Sequence, residues 1–109
     1  WMNYNILTIP EFDKNTKTLS KKYKNLKNDL YALFSELQLN PKLGSHIIGN
    51  CYKIRVANSS IPTGKSGGFR VITYYVDSSD NIYLMSIYSK TDFDSISNEK
   101  IIELLNDIK

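Results

Sequence analysis

The chain has 109 residues and a net charge of +3; 41% of its residues are hydrophobic and 12% aromatic. That length suits one domain with a modest core, taken as residues 2–109 with Trp1, ahead of Met2, set aside, and the hydrophobic content excludes a disordered chain. The longest apolar runs fall far short of the roughly 20 residues of a membrane helix, the first residues lack a basic start and a continuous apolar region, and a single cysteine, Cys51, excludes an internal disulfide. The expectation is a cytoplasmic protein with no membrane association, in which Cys51 acts as a small, partly buried hydrophobe.

In chain order, residues 4–9 are rich in β-branched and aromatic side chains and predict a short opening strand. Pro10 then favours a helix start, because its missing N–H would be unpaired in a first turn anyway. Glu11 and Asp13 suit the positive end of that helix dipole. Phe12, Thr16, Leu19 and Tyr23 line one face. The helix breaks near Asn25, and Leu26, Leu30, Leu33, Phe34 and Leu37 mark a second helix that Asn40 and Pro41 end. The two helices form a hairpin that covers one face of a sheet. Six lysines (Lys14, Lys17, Lys21, Lys22, Lys24 and Lys27) lie along this hairpin before the next acid, Asp29. Such a run reads as a solvated face, with a secondary patch for RNA or the ribosome as the sharper alternative.

Residues 42–50 read as a loop with Gly44 and Gly49, and residues 51–57 alternate as a strand. Residues 58–68 are a polar loop with Pro62 and three glycines. Residues 69–76 form a second strand whose near-continuous apolar run argues for a central position. Residues 77–81 are a turn, and residues 82–89 a third strand. Ser97 is placed to cap a last helix, with Ile101, Ile102, Leu104, Leu105 and Ile108 on one face. The order is one strand, two helices, three antiparallel strands and a helix. The fold class is α+β: an N-terminal strand and helical hairpin packed on a small antiparallel sheet, then a C-terminal helix.

Gly64-Lys65-Ser66 resembles the end of a nucleotide-binding phosphate loop. That motif needs a glycine where Ser59 stands and a helix where a strand follows, so the reading is rejected. Lys53 and Arg55 are two residues apart on a strand and project from one face. Arg70 opens the next strand and Lys90 ends the third. With Lys65 in the intervening loop, five cations converge on one side of the sheet if the strands are neighbours. Such a surface binds phosphates in a salt-dependent way, and Arg70 can hold one with two parallel hydrogen bonds. The plain alternative is a set of solvent-facing charges, some paired with Asp92 or Asp94. His46 is the only histidine, which excludes a histidine pair for acid–base cleavage of RNA. In its glycine-containing loop it reads as structural or exposed. No cluster of His, Cys and carboxylates has metal-ligand spacing, so no metal and no cofactor are expected.

Three segments together carry a family resemblance: Tyr52-Lys53-Ile54-Arg55, Gly64-Lys65-Ser66-Gly67-Gly68-Phe69-Arg70-Val71-Ile72-Thr73-Tyr74-Tyr75, and Ile82-Tyr83-Leu84-Met85-Ser86-Ile87-Tyr88-Ser89-Lys90. They resemble the RelE/ParE superfamily of bacterial toxins, and the lysine-serine-glycine-glycine-x-arginine signature looks most like the HigB-type branch. The resemblance implies a microbial-ribonuclease-like fold. It also implies a type II toxin that enters the ribosomal A site and cuts messenger RNA by metal-independent attack of a ribose 2′-hydroxyl, blocking translation. The implied partners are the ribosome, messenger RNA and a helix-turn-helix antitoxin (HigA-like) in a toxin–antitoxin hetero-oligomer. Carried over by position, Lys53 and Arg55 match the basic pair of the first sheet strand, Arg70 the phosphate-binding arginine, Lys90 a basic position after the last strand, and Lys65 the signature loop. All five are candidate catalytic and RNA-contacting residues. The arginines would neutralise a phosphorane-like transition state; Lys53, Lys65 or Lys90 could serve as the general base if crowding and desolvation lower its pKa. Tyr88 is a candidate for stacking on a base, with a core tyrosine as the alternative. Residues 96–109 contain no tyrosine where RelE-type enzymes can carry a catalytic one. Two other readings stay open: a ParE-like gyrase-inhibiting toxin without nuclease activity, and a catalytically silent antitoxin-binding module.

Overall fold

The computed structural model describes residues 4–60, 68–76, 78–90 and 96–108. The elements are β1 (Asn5–Thr8), α1 (Pro10–Lys22), α2 (Leu26–Leu39), β2 (Ser45–His46), β3 (Cys51–Val56), β4 (Phe69–Val76), β5 (Asn81–Ser89) and α3 (Asn98–Leu105). The strands form one five-stranded sheet in the order β1-β5-β4-β3-β2. The class is α+β, as the element order predicts. β3, β4 and β5 are antiparallel neighbours, and β1 adds to β5 in parallel, which makes the sheet mixed. No described helix is long and apolar enough to cross a membrane.

β4 takes the centre because it is apolar on both sides. Phe69, Val71, Ile72 and Tyr75 are all buried, and a strand covered on both faces needs no polar alternation. The α1–α2 hairpin packs on one face. Pro10 stands in the first turn of α1 with Glu11 and Asp13, and Lys21 and Lys22 close the last turn, so both ends complement the helix dipole. Phe12 and Leu19 of α1 and Leu26, Leu33 and Leu37 of α2 are buried. The Tyr23 ring meets Phe69 edge to face at 5.3 Å, which ties the hairpin to the middle of the sheet. Gln38, near the end of α2, accepts from the Tyr4 N–H and donates to the Tyr4 carbonyl, both at 2.8 Å. This side chain stands in for a strand partner at the chain's entry to the sheet. α3 is capped by Ser97, whose hydroxyl accepts from the Lys100 N–H at 3.2 Å.

Two expectations change, and the sheet carries one irregularity. Residues 42–50 are not wholly a loop: Ser45 pairs with Lys53 and His46 with Tyr52. Gly44 makes this possible, because its φ of +98° turns the chain and its Cα lies so close over the Lys53 carbonyl that a Cβ would collide with it. On α3, Ile101 and Leu104 are buried, but Ile102 is 52% exposed. One residue is about 100° of rotation, which takes Ile102 off the packed face. The β4–β5 pairing also slips: Ile72 faces Ser86 and Thr73 faces Leu84, leaving Met85 as an extra residue on β5.

α1 supports the sheet beside that bulge. β1 ends opposite Leu84, so the edge of β5 beyond it needs another partner. Asn15 supplies one: its Oδ1 accepts from the Ser86 hydroxyl at 3.1 Å and from the Ile87 N–H at 3.2 Å, while its Nδ2 donates to Glu11 at 3.2 Å.

Candidate functional site

β3 and β4 set the positions of the basic side chains. In the register of the sheet Arg55 lies opposite Arg70, and Arg70 opposite Tyr88, so the three form one row across three strands. Lys53 lies two residues from Arg55 and opposite Ser45 of β2. Lys90 follows the last residue of β5, and its N–H donates to the Gly68 carbonyl at 3.0 Å. That bond holds the end of β5 against the start of β4. Gly68 has no room for a side chain there, since a Cβ would collide with the Val56 carbonyl and meet the Asn58 nitrogen at 2.9 Å.

These elements enclose a cleft of about 560 Å³ lined by Ser45, His46, Ile47, Lys53, Arg55, Arg70 and Lys90. Among the described residues, four of these seven are lysine or arginine and none is acidic. Four of the five cations read from the sequence therefore share one cavity wall. The fifth, Lys65, lies outside the described residues, as do Asp92 and Asp94. The cations differ in exposure. Arg55 is exposed and Lys53 and Lys90 are half-buried. Arg70 is only 6% exposed, and its Nη1 donates to the Phe69 carbonyl at 3.3 Å. A guanidinium held in this way presents fixed donors to an anion instead of a mobile charge.

Tyr88 is 7% exposed and is not part of the cleft lining. Burial raises its phenol pKa above the ordinary value, while the Arg70 charge and a backbone hydrogen bond with Ile96 act in the opposite sense. It is thus a neutral buried ring beside Arg70, where the core-tyrosine alternative puts it. Cys51 is fully buried, and burial pushes its thiol up to about 11. A thiol so placed is neither a nucleophile nor a ligand at neutral pH.

His46 is exposed, as the sequence reads it, and it also borders the cleft with the four cations. β2 carries it there. Its Nε2 lies 2.6 Å from the Gly49 carbonyl, and its ring meets Tyr52 edge to face at 5.5 Å. The signal was too short to read, because a strand of two residues has no periodicity.

The root of the β3–β4 loop is held separately. Asp29, buried at the start of α2, accepts from the Ser59 N–H at 3.1 Å, and the Asn58 side chain accepts from the Ser60 N–H at 2.9 Å. The chain that leaves β3 is thereby fixed to α2 at Ser59.

No protein-family model matches the chain. Among solved structures it is similar to the Escherichia coli toxin RelE. A double arginine-to-alanine mutant of that toxin in the free state is 17% identical, with 99% of this chain and all of that one covered, at a TM-score of 0.64. The same mutant in complex with an antitoxin RelBc peptide is 18% identical over 94% of each chain, at 0.60. The isolated toxin is 19% identical over 97% of this chain and 99% of that one, at 0.55. Over nearly its whole length, this chain has the fold of the RelE toxin.

Proposed function

We propose that this protein is the toxin of a type II toxin–antitoxin system, of the HigB-like branch, and that it is a ribosome-dependent messenger-RNA endonuclease working in the cytoplasm. The observation that carries the reading is the cleft that Lys53, Arg55, Arg70 and Lys90 line together. A cavity with four cations on its wall, built on strands, suits a phosphodiester whose charge grows during reaction. A gyrase-binding toxin has no need of such a phosphate clamp. The likeness in fold to RelE supports the toxin reading, and the antitoxin peptide bound to that protein supports an antitoxin as this chain's partner. The partner is a helix-turn-helix protein, HigA-like, in a hetero-oligomer.

In this mechanism the 2′-hydroxyl of one nucleotide attacks the adjacent phosphorus. The bond to the 5′-oxygen of the next nucleotide breaks, leaving a 2′,3′-cyclic phosphate and a 5′-hydroxyl. Arg70 and Arg55 bind the non-bridging oxygens, where negative charge accumulates. Lys53 and Lys90, in the same cleft, are the candidates to take the proton of the 2′-hydroxyl and to deliver one to the leaving 5′-oxygen. Lys65, outside the described residues, is a further candidate cation. Tyr88 backs Arg70 from the neighbouring strand.

The test is primer extension on a messenger RNA in a reconstituted translation system, with wild type, Arg55→Ala and a ribosome-free control. Arg55 is the better probe than Arg70, because it is exposed and its truncation leaves the core untouched. Cuts at A-site codons that need both ribosomes and Arg55 support the reading. Intact RNA with a toxic protein would turn it toward gyrase, and intact RNA without toxicity toward a silent antitoxin-binding module.

A further inference from the structure

We infer that a second cavity, next to the cationic cleft, takes one unpaired nucleobase of the RNA strand, with Tyr74 as its stacking ring and Asn50 as the reader of its polar edge. The inference rests on the nuclease reading above and adds to it a subsite for a base close to the cut.

The cavity measures about 340 Å³ and is lined by Ile48, Gly49, Asn50, Cys51, Tyr74 and Leu105. None of these six residues carries a charge, whereas four of the seven around the cleft do. The two hollows adjoin. Ile47 lines one and Ile48 the other, so they meet at the turn between β2 and β3. They also share a face of the sheet. Arg55 lies opposite Arg70, Lys53 opposite Ile72 and Cys51 opposite Tyr74, in steps of two residues along both strands. At a rise of about 3.3 Å per residue, Cys51 stands about 7 Å from Lys53 and about 13 Å from Arg55. An extended strand with a phosphate on Arg55 covers that span within a nucleotide or two.

The neutral cavity has the parts a base needs. Tyr74 is half-buried, and its ring is stacked on Tyr83 at 6.3 Å with 27° between the planes, so it is held before a base arrives. Leu105 and Ile48, also half-buried, supply apolar walls for the flat faces of a base. Asn50 is exposed, and its amide offers both donors and an acceptor to a base edge. The turn that carries it is tied down. The Ile47 N–H donates to the Cys51 carbonyl at 2.9 Å, the Cys51 N–H to the Ile48 carbonyl at 2.8 Å, and the Tyr75 N–H to the Asn50 carbonyl at 3.1 Å. Gly49, with φ of +51°, has nothing within 4 Å of where a Cβ would stand, which leaves room at the mouth. A nucleotide is thus divided as the surface is: its phosphate to the cations, its base to the neutral pocket.

The test is cleavage on programmed ribosomes of messages that lack the base at one position each, on both sides of the cut. Wild type is compared with Tyr74→Leu, Tyr74→Phe and Asn50→Ala, with thermal denaturation as the folding control. The expected result is one position, within two nucleotides of the cut, where base removal lowers kcat/KM about 10-fold in wild type. Tyr74→Leu should lower cleavage of the intact message by a similar factor and gain no further defect from base removal at that position. Tyr74→Phe, which keeps the ring, should recover most of the loss. Asn50→Ala should narrow the spread of rates among the four bases there. Independent, multiplying losses from Tyr74→Leu and base removal would mean that the base is read elsewhere, and would overturn the inference while leaving the nuclease reading intact. Indifference of wild type to base removal at every position would do the same. If Tyr74→Leu melts early, the exposed Asn50 decides: an unchanged base preference in Asn50→Ala overturns the pocket. An intact message left uncut by wild type would overturn the nuclease reading and this inference together.

Discussion

Arg55 of β3 and Arg70 of β4 are direct cross-strand partners on the wall of the cleft. Like charges placed opposite one another on a sheet destabilise it. Two guanidinium groups facing one another at this end of the sheet argue that they serve an anion and not the fold. Arg55→Thr places a β-former at an exposed strand position and removes the repulsion. The expected outcome is a gain of roughly 0.2–0.5 kcal/mol in stability, small because solvent screens the exposed Arg55, together with loss of cleavage. Urea unfolding read beside the primer-extension assay checks both parts. A variant less stable than wild type would contradict the cost assigned to the pair.

Asn15 gives a test of the fold's support at the bulge. Its Oδ1 is the acceptor for the Ser86 hydroxyl and the Ile87 N–H, both on buried residues of β5. Asn15→Ala leaves a backbone donor and a hydroxyl to find new partners. Each buried donor left unsatisfied costs about 1–3 kcal/mol, and a water entering beside α1 would recover part of that. A loss of roughly 1–3 kcal/mol is expected in urea unfolding. Asn15→Asp keeps the acceptor but sets a carboxylate beside Glu11, so it should fall between alanine and wild type.

Much of the architecture was legible because it is written in long or chemically distinct segments. Residues 69–76 are apolar on both faces and could only be central. The stripe from Leu26 to Leu37 and the Ser97 cap fixed two helices. Four members of the candidate site were legible for a similar reason: Lys53 and Arg55 alternate on a strand, and Arg70 and Lys90 mark strand ends. What escaped depends on partners distant in sequence. The parallel seat of the first strand beside β5, the Asn15 bonds to residues more than 70 positions away and the burial of Arg70 leave no local trace. β2 escaped because two residues carry no period.

Cys51 sets the alkaline behaviour of the fold. Burial raises its thiol from 9.0 to about 11. The raised value means the native state favours the protonated form. Its contribution is therefore complete below pH 9 and is lost as pH rises from about 9 to about 11. The loss is on the order of 2–3 kcal/mol. Tyr88, also raised by burial, acts in the same sense at higher pH. Unfolding free energies of wild type and Cys51→Ala at pH 7, 9 and 10.5 check this. The wild type should lose more stability across that interval than the variant. Native protein should also leave a thiol-reactive chromogenic disulfide unreduced at pH 7.5 until urea is added.

Salt dependence separates the cleft from the lysines of the helical hairpin, which are also exposed. Lys22 and Lys27 lie over the Tyr23 and Tyr31 rings at 5.3 and 5.8 Å, so part of that basic face is tied to its own aromatics. Each phosphate neutralised on a single strand contributes about 0.7 to the slope of log affinity against log salt. Fluorescence anisotropy with a short single-stranded RNA, over a range of potassium chloride concentrations, reads that slope. Arg55→Ala should lower it by about 0.7, whereas Lys17→Ala, on an exposed turn of α1, should leave it unchanged. The opposite pattern would move the RNA path from the cleft to the helices. If both variants lower the slope, one strand crosses both surfaces, and the lysine face extends the grip of the cleft on the backbone.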